Sequence, residues 1–160
     1  MMKKFKIIPE ELISAILLAI MALIAFINVI SRWFLHLSLA FTEEITIHFF
    51  VWMTTLGIAI AFERSAHLGM VTIYEKLPKV PRKIASAISA IIAISLFVLV
   101  NYYAIMEIYM DMTIFKMDSE ALRIPQWIYT MGTPIFSLFV FKNIIKGTIK
   151  EFKQIDKEAE

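Results

Sequence analysis

Residues 28–67, NVISRWFLHLSLAFTEEITIHFFVWMTTLGIAIAFERSAH, decide the fold of this chain. They contain the end of one apolar run, a connection with the adjacent carboxylates Glu43 and Glu44, and a second apolar run. The second run extends over residues 45–62 without a charged side chain, which is the length of a membrane-spanning helix. The stretch therefore predicts two membrane helices joined by a turn on one side, with Arg64 and His67 on the other side.

The rest of the chain repeats this pattern. Four segments of 18 to 23 residues contain no Asp, Glu, Lys or Arg: 12–31, 45–62, 84–106 and 124–141. The apolar fraction is 59% and the mean hydropathy +0.74, above the roughly 45–50% apolar content of soluble domains. A soluble bundle would need polar stripes at helical spacing, and residues 12–27 offer only Ser14.

We therefore predict an all-α membrane protein of a single domain, residues 1–160, with four transmembrane helices. Their expected positions are about 10–32, 43–63, 83–109 and 124–146. Thr42 is the expected N-cap of the second helix.

Short amphipathic helices are expected in the interface within residues 31–44 and 67–78, and an amphipathic tail over 145–160. The predicted lipid-headgroup contacts are Lys79, Arg82, Lys83, Lys146, Lys150 and Lys153.

The basic residues predict the orientation. With the N-terminus inside, 13 of the 16 Lys and Arg residues fall on the inner side and 3 on the outer side. Because positive charge accumulates in cytoplasmic loops, both termini should be cytoplasmic. The first helix is expected to remain as an anchor, since no small-residue cleavage site follows it. A belt of aromatic residues is expected at the outer interface: Trp33, Tyr102, Tyr103, Tyr109, Trp127 and Tyr129.

No catalytic, cofactor or metal pattern occurs in the sequence, so we expect neither an enzyme nor a cofactor. The nearest approach to a catalytic cluster is Glu63, Arg64 and His67. An ion-coupled carrier needs ionisable groups near the midplane, which the four segments lack. Alone, the chain is poorly equipped to move a charged solute.

Several residues have two interpretations. Glu43 and Glu44 either complement the helix dipole or bind a partner. His48 is either a proton relay or a polar contact between helices, and the latter is the more common role. Trp52 lies far from both interfaces and should pack against protein. Small residues predict close helix contacts on two faces. One face has Gly57 with Ala61, and the other has Ala85, Ser89 and Ala93 with Ser86 and Ala90 beside them.

The order and spacing of Asn28, Arg32-Trp33, Glu43-Glu44, Phe50-Val51-Trp52 and Gly57-x-Ala59-x-Ala61, followed by Arg64 and His67, resemble a known family. It is the DctQ-type small membrane subunit of tripartite ATP-independent periplasmic (TRAP) transporters. The chain departs from the family pattern in having Trp33 where Tyr often occurs, and Phe41-Thr42 where Trp commonly precedes the glutamates.

The resemblance implies a sodium-driven importer of an organic acid, such as a C4-dicarboxylate or a sialic acid, in the bacterial inner membrane. It implies pairing as a heterodimer with a large membrane subunit that holds the solute and ion sites, and delivery of solute by a periplasmic binding protein. Phospholipids are further expected partners, and nucleic acid is not. The candidate interface residues are Asn28, Arg32, Glu43, Glu44, Trp52, Gly57, Arg64 and His67. The alternative is a stand-alone homo-oligomeric transporter, which should carry a mid-helix carboxylate that is absent here.

Overall fold

The chain folds into four long helices. The computed structural model describes residues 8–37, 39–64 and 78–157. The helices are α1 (Pro9–Ile30), α2 (Ala40–Glu63), α3 (Lys79–Met110) and α4 (Trp127–Lys157), and the described residues form no strand. Each helix, at 1.5 Å per residue, is long and apolar enough to cross a membrane. The prediction of an all-α membrane protein with four transmembrane helices is confirmed.

The helices contact one another in the order α1, α2, α4, α3. The centre of the packing consists of Ala59 from α2, Ala90 and Phe97 from α3, and Val140 and Ile144 from α4. The two alanines at this centre, Ala59 and Ala90, allow the helices to approach closely. The outer helices α1 and α3 expose most of their large apolar side chains, as helices in contact with lipid or with another membrane protein would.

Two of the helices end in π-helical turns. Residues Ser31–Leu35 continue α1 and residues Asp111–Phe115 continue α3, and each turn is followed by a left-handed residue, His36 or Lys116. Residues 31–35 therefore extend α1, and residues from Ala40 onwards belong to α2. The separate interfacial helix predicted within 31–44 is not seen among the described residues, and most of the predicted segment 67–78 lies outside them.

The start of α2 also differs from the prediction. The N-cap is Leu39, and the N-cap prediction for Thr42 is wrong. The Thr42 hydroxyl instead donates back to the Leu39 carbonyl at 2.5 Å. The side-chain oxygen of Asn28 accepts a hydrogen bond from the Leu39 amide at 3.2 Å, which satisfies a backbone donor at the helix start.

The contact face of α3 includes three residues of the predicted small-residue face, Ser86, Ala90 and Ala93. Ala85 is exposed, whereas Ser86, Ala90 and Phe97 are buried. The Ser86 hydroxyl donates to the buried carboxylate of Glu151 at 2.6 Å. This contact exists because α4 is a single helix to Lys157 and does not end near residue 146.

The helix ends define two poles of the molecule. We call the pole with the α1–α2 and α3–α4 connections, residues 31–39 and 111–126, the loop end. The opposite pole, where α1 and α3 begin and α2 and α4 end, is the terminal end. The described helix segments between the two poles contain no Asp, Glu, Lys, Arg or His. These segments are 12–31, 49–62, 84–106 and 124–141.

Candidate functional site

A polar cleft of about 560 Å³ opens at the loop end, between α2 and the α3–α4 connection. We call it the loop-end cleft. Side chains from three parts of the chain give it its polarity: Glu43, Glu44 and His48 from α2, Ser119 and Glu120 from the connection, and Tyr129 from α4. Most of these polar groups are hydrogen-bond acceptors, so the cleft suits a ligand or side chain that donates hydrogen bonds or carries positive charge.

The connection that forms one wall of the cleft is held by its own backbone. The Ser119 amide donates to the Ile124 carbonyl at 2.8 Å, and the Gln126 amide donates to the Met117 carbonyl at 3.0 Å. These bonds accompany an isolated antiparallel bridge between Asp118 and Pro125. The loop therefore presents Ser119 towards α2 in a defined geometry.

Glu44 attaches this loop to α2. Its Oε2 accepts the backbone N–H of Ala121 at 3.1 Å, and its carboxylate lies near the hydroxyls of Ser119 and Tyr129. Glu44 Oε1 and the Tyr129 hydroxyl are buried, and neither has a well-aligned hydrogen bond to a described residue. The neighbouring Glu43 is exposed. The two adjacent carboxylates thus have different roles: Glu44 holds the fold, and Glu43 faces outward.

Aromatic contacts join α2 to α4 beside the cleft. The His48 and Tyr129 rings stack with centroids 4.1 Å apart and an interplanar angle of 4°. One turn further along α2, the Trp52 indole N–H donates to the Tyr129 carbonyl at 3.1 Å. His48 is therefore a contact between helices. Tyr129, at 7% exposure, is buried in the chain and does not belong to the predicted aromatic belt.

Gly132 makes the packing of Trp52 possible. A Cβ atom at position 132 would lie 2.1 Å from Trp52 Nε1 and 2.2 Å from Cε2, well inside contact distance. Trp52 thus packs against α4 of its own chain. The sequence indicated that Trp52 is covered by protein, but nothing in it identified Gly132 as the residue underneath.

At the terminal end, charged side chains tie α1 and α2 to α4. We call this group of residues, Glu10, Glu11, Glu63, Arg64, Lys142, Asn143 and Lys146, the terminal-end clasp. Glu10 is fully buried, and its Oε1 accepts hydrogen bonds from Lys142 Nζ at 3.2 Å and from Asn143 Nδ2 at 3.4 Å. Asn143 Nδ2 also donates to the Ala59 carbonyl at 3.1 Å.

Two ion pairs complete the clasp. Arg64 pairs with Glu11, and Lys146 Nζ lies 2.7 Å from Glu63 Oε1. The backbones are also close, because a Cβ at Gly147 would lie 2.3 Å from the Phe62 carbonyl oxygen. The local sequence predicts only that Glu10 and Glu11 lie in the first turn of α1. Their partners on α2 and α4 lie more than 50 residues away in the chain, so local patterns could not reveal them.

The sequence profile of the DctQ component of the tripartite ATP-independent periplasmic transporters matches residues 21–154. This chain belongs to that family. Two Haemophilus influenzae proteins named as TRAP transporter small permease proteins are 32% identical over 68 residues, 42% of each chain, and 27% identical over 144 residues, 90% of this chain and 86% of the relative. The sialic acid TRAP transporter small permease protein SiaQ of Vibrio cholerae is 30% identical over 96 residues, 60% of this chain and 53% of its own.

The predicted interface residues of this TRAP small permease family member differ in whether they contact their own chain. Asn28, Glu44 and Trp52 make hydrogen bonds within the chain, and Arg64 belongs to the clasp. Arg32, Glu43 and Gly57 are exposed, and His67 lies outside the described residues. A Cβ added at Gly57 would have no atom within 4 Å, so the predicted close approach at Gly57 is not made within this chain.

The predicted lipid contacts also divide. Lys83 pairs with Asp156 at 2.5 Å and Lys146 with Glu63, whereas Lys150 and Lys153 are exposed and make no ion pair with a described residue. Arg82 is half-buried, and Lys79 begins α3. Among the described residues, no group of three or more His, Cys, Asp or Glu side chains could hold a metal ion.

Proposed function

We propose that this chain is the small permease subunit of a sodium-coupled TRAP transporter that imports an organic acid. In this proposal it pairs as a heterodimer with a large membrane subunit that binds solute and sodium, and a periplasmic binding protein delivers the solute. The chain itself contributes no catalytic group. It acts as a scaffold that holds the large subunit in the inner membrane.

The distribution of charge carries this proposal. The charged side chains of the described helices lie at the two poles, where Glu44 and the clasp bond within the chain. Between the poles, the Ser137 hydroxyl donates to Asn101 Oδ1 at 2.7 Å and Trp52 donates to the Tyr129 carbonyl, so these polar groups join helices to each other. Transport of a charged solute requires polar groups at this depth that can face the solute. A second subunit would supply them.

The solute class rests on a relative. The Vibrio cholerae relative is named for sialic acid, which is a carboxylate. A sialic acid, a C4-dicarboxylate or another organic acid would suit the family equally, because no residue of this chain is proposed to contact the solute.

We further propose that the terminal end and both chain termini are cytoplasmic and that the loop-end cleft is periplasmic. The excess of Lys and Arg at the terminal end supports this orientation. Reporter fusions after Lys157 should be active only as cytoplasmic reporters, and fusions within 116–120 only as periplasmic ones. A periplasmic C-terminus would overturn the orientation.

Uptake by reconstituted vesicles tests the function. The chain is produced together with a large TRAP membrane subunit and a cognate binding protein, and uptake of labelled sialic acid and of C4-dicarboxylates is measured under a sodium gradient. Uptake should need both membrane chains and sodium. Sodium-driven uptake by vesicles with this chain alone would instead support the stand-alone transporter.

A further inference from the structure

The C-terminal half of α4 carries a stripe of lysines. Its members are spaced 4, 4, 3 and 4 residues apart, so at 100° per residue they fall within an arc of about 80° on one side of the helix. We call this the lysine stripe: Lys142, Lys146, Lys150, Lys153 and Lys157.

Only part of the stripe is used by the fold. Lys142 and Lys146 belong to the terminal-end clasp, where they pair with Glu10 and Glu63. The next three lysines make no ion pair with a described residue and are exposed: Lys150, Lys153 and Lys157. Together with Lys146, Ile149 and Gln154 they line a shallow groove of about 480 Å³. Three like charges placed side by side repel one another unless an anion lies between them.

The contacts between α3 and α4 give the level of this groove along the bundle. Ser86 bonds to Glu151, and the Phe97 ring lies 6.4 Å from the Phe141 ring. The groove lysines Lys150, Lys153 and Lys157 are therefore level with Ser86 and the residues before it in α3, where Val80 is 68% and Ile84 is 54% exposed. Exposed aliphatic side chains on a membrane helix suit contact with acyl chains or with the apolar face of another membrane protein.

Exposed isoleucines also flank the lysines on α4 itself. Ile145 and Ile149 are 56% and 51% exposed and lie on the side of α4 next to the stripe. The groove thus combines three ammonium groups with apolar surface at the same level. Lysine stems lie well along apolar surface while their ammonium groups reach the headgroup layer.

From this combination we infer that the groove binds the headgroup phosphate of an anionic phospholipid. The ammonium groups of Lys150, Lys153 and Lys157 bind the phosphate, and the acyl chains lie along Ile145 and Ile149. A soluble phosphate would use the lysines but not the isoleucines. Lysine is a flexible point charge, which suits a headgroup held by charge without a fixed bidentate geometry.

Lipid-dependent stability of the purified protein tests the inference. The full-length chain in neutral detergent is titrated with phosphatidylglycerol, with phosphatidylcholine and with glycerol phosphate, and the melting temperature is followed. Phosphatidylglycerol should raise it and the other two should not. In K150Q/K153Q/K157Q, the concentration of phosphatidylglycerol for half the effect should rise at least about tenfold, since each basic residue near an anionic surface adds several-fold to the affinity.

Matched variants make the result specific. K150R/K153R/K157R keeps the charge and should retain the response to phosphatidylglycerol. R32Q/K116Q/R123Q removes three charges from the loop end and should also retain it. An unchanged response in the glutamine variant, or an equal response to glycerol phosphate, would overturn the inference. So would a glutamine variant that keeps its lipid response but loses the large subunit on co-purification, because the stripe would then be a protein interface.

Discussion

Glu43 and Glu44 are neighbours in the chain but have different surroundings. Glu44 accepts the Ala121 amide and lies beside the hydroxyls of Ser119 and Tyr129, whereas Glu43 is exposed at the mouth of the loop-end cleft. A hydrogen bond to a charged group contributes about 1.5–3 kcal/mol, while an isolated exposed carboxylate contributes little to stability. The structure therefore separates a carboxylate that holds the fold from one that can meet a partner.

We expect Glu44→Ala to lower the free energy of unfolding by about 1–3 kcal/mol, because the Ala121 amide loses its charged acceptor and the carboxylate that lies beside the Ser119 and Tyr129 hydroxyls is removed. Glu43→Ala is the matched control and should change it by less than about 0.5 kcal/mol. Both changes replace glutamate with alanine in the first turns of the same helix. Thermal unfolding of the purified chain in detergent measures the difference. Equal losses for the two variants would contradict the division of roles.

The position of α2 relative to α4 depends on glycines where α4 approaches α2. At Gly132 the added Cβ would meet the Trp52 ring, and at Gly147 it would meet the Phe62 carbonyl. The contrast is Gly57, where an added Cβ would meet nothing within 4 Å. Gly132 and Gly147 are therefore required for the close approach of α2 and α4, whereas Gly57 has no packing role within the chain.

We expect Gly132→Ala to destabilise the chain by about 1–3 kcal/mol, because Trp52 must move and give up its bond to the Tyr129 carbonyl. In a Trp52→Phe background the clashing indole atoms are gone, so the same glycine change should cost clearly less. Gly57→Ala is the control and should leave the melting temperature unchanged or slightly raised, since alanine favours helix. A double-mutant cycle on melting curves tests this, and additive effects would disprove the contact.

The sequence predicts the four helices but not the contacts between them. The four helices follow from charge-free segments of about 20 residues, because the bilayer sets a length that local sequence records directly. The glycine contacts, the pairing of Glu44 with Ala121 and the burial of Glu10 by Lys142 and Asn143 join residues 77 to 133 positions apart. Nothing in the sequence near Glu10 or Gly132 specifies such a partner. The N-cap of α2 is wrongly predicted for a similar reason, because the side chain that bonds to the Leu39 amide, Asn28, belongs to α1.

In the whole molecule, α2 lies between α1 and α4 and still has one uncovered side. Its exposed positions recur every three or four residues along the full helix: Glu43, Ile47, Phe50, Thr54 and Gly57. This spacing is that of one helix face. Half-buried Ala61 continues the same face. The face begins with a carboxylate at the loop end and becomes small-sided at Thr54, Gly57 and Ala61, which is the composition of a surface that packs against another membrane helix.

If the large subunit packs on this face, Gly57→Leu should reduce the heterodimer recovered on co-purification at least about fivefold, because the leucine side chain holds the two helices apart. The isolated chain should unfold at its usual temperature, since the position is open within the chain. Gly57→Ala adds a single methyl group and should retain most of the complex. Uptake should fall in proportion to the recovered heterodimer, while the sodium concentration for half-maximal uptake stays that of the unchanged protein. Full recovery with Gly57→Leu would mean that this face of α2 meets lipid, and the large subunit would have to pack elsewhere.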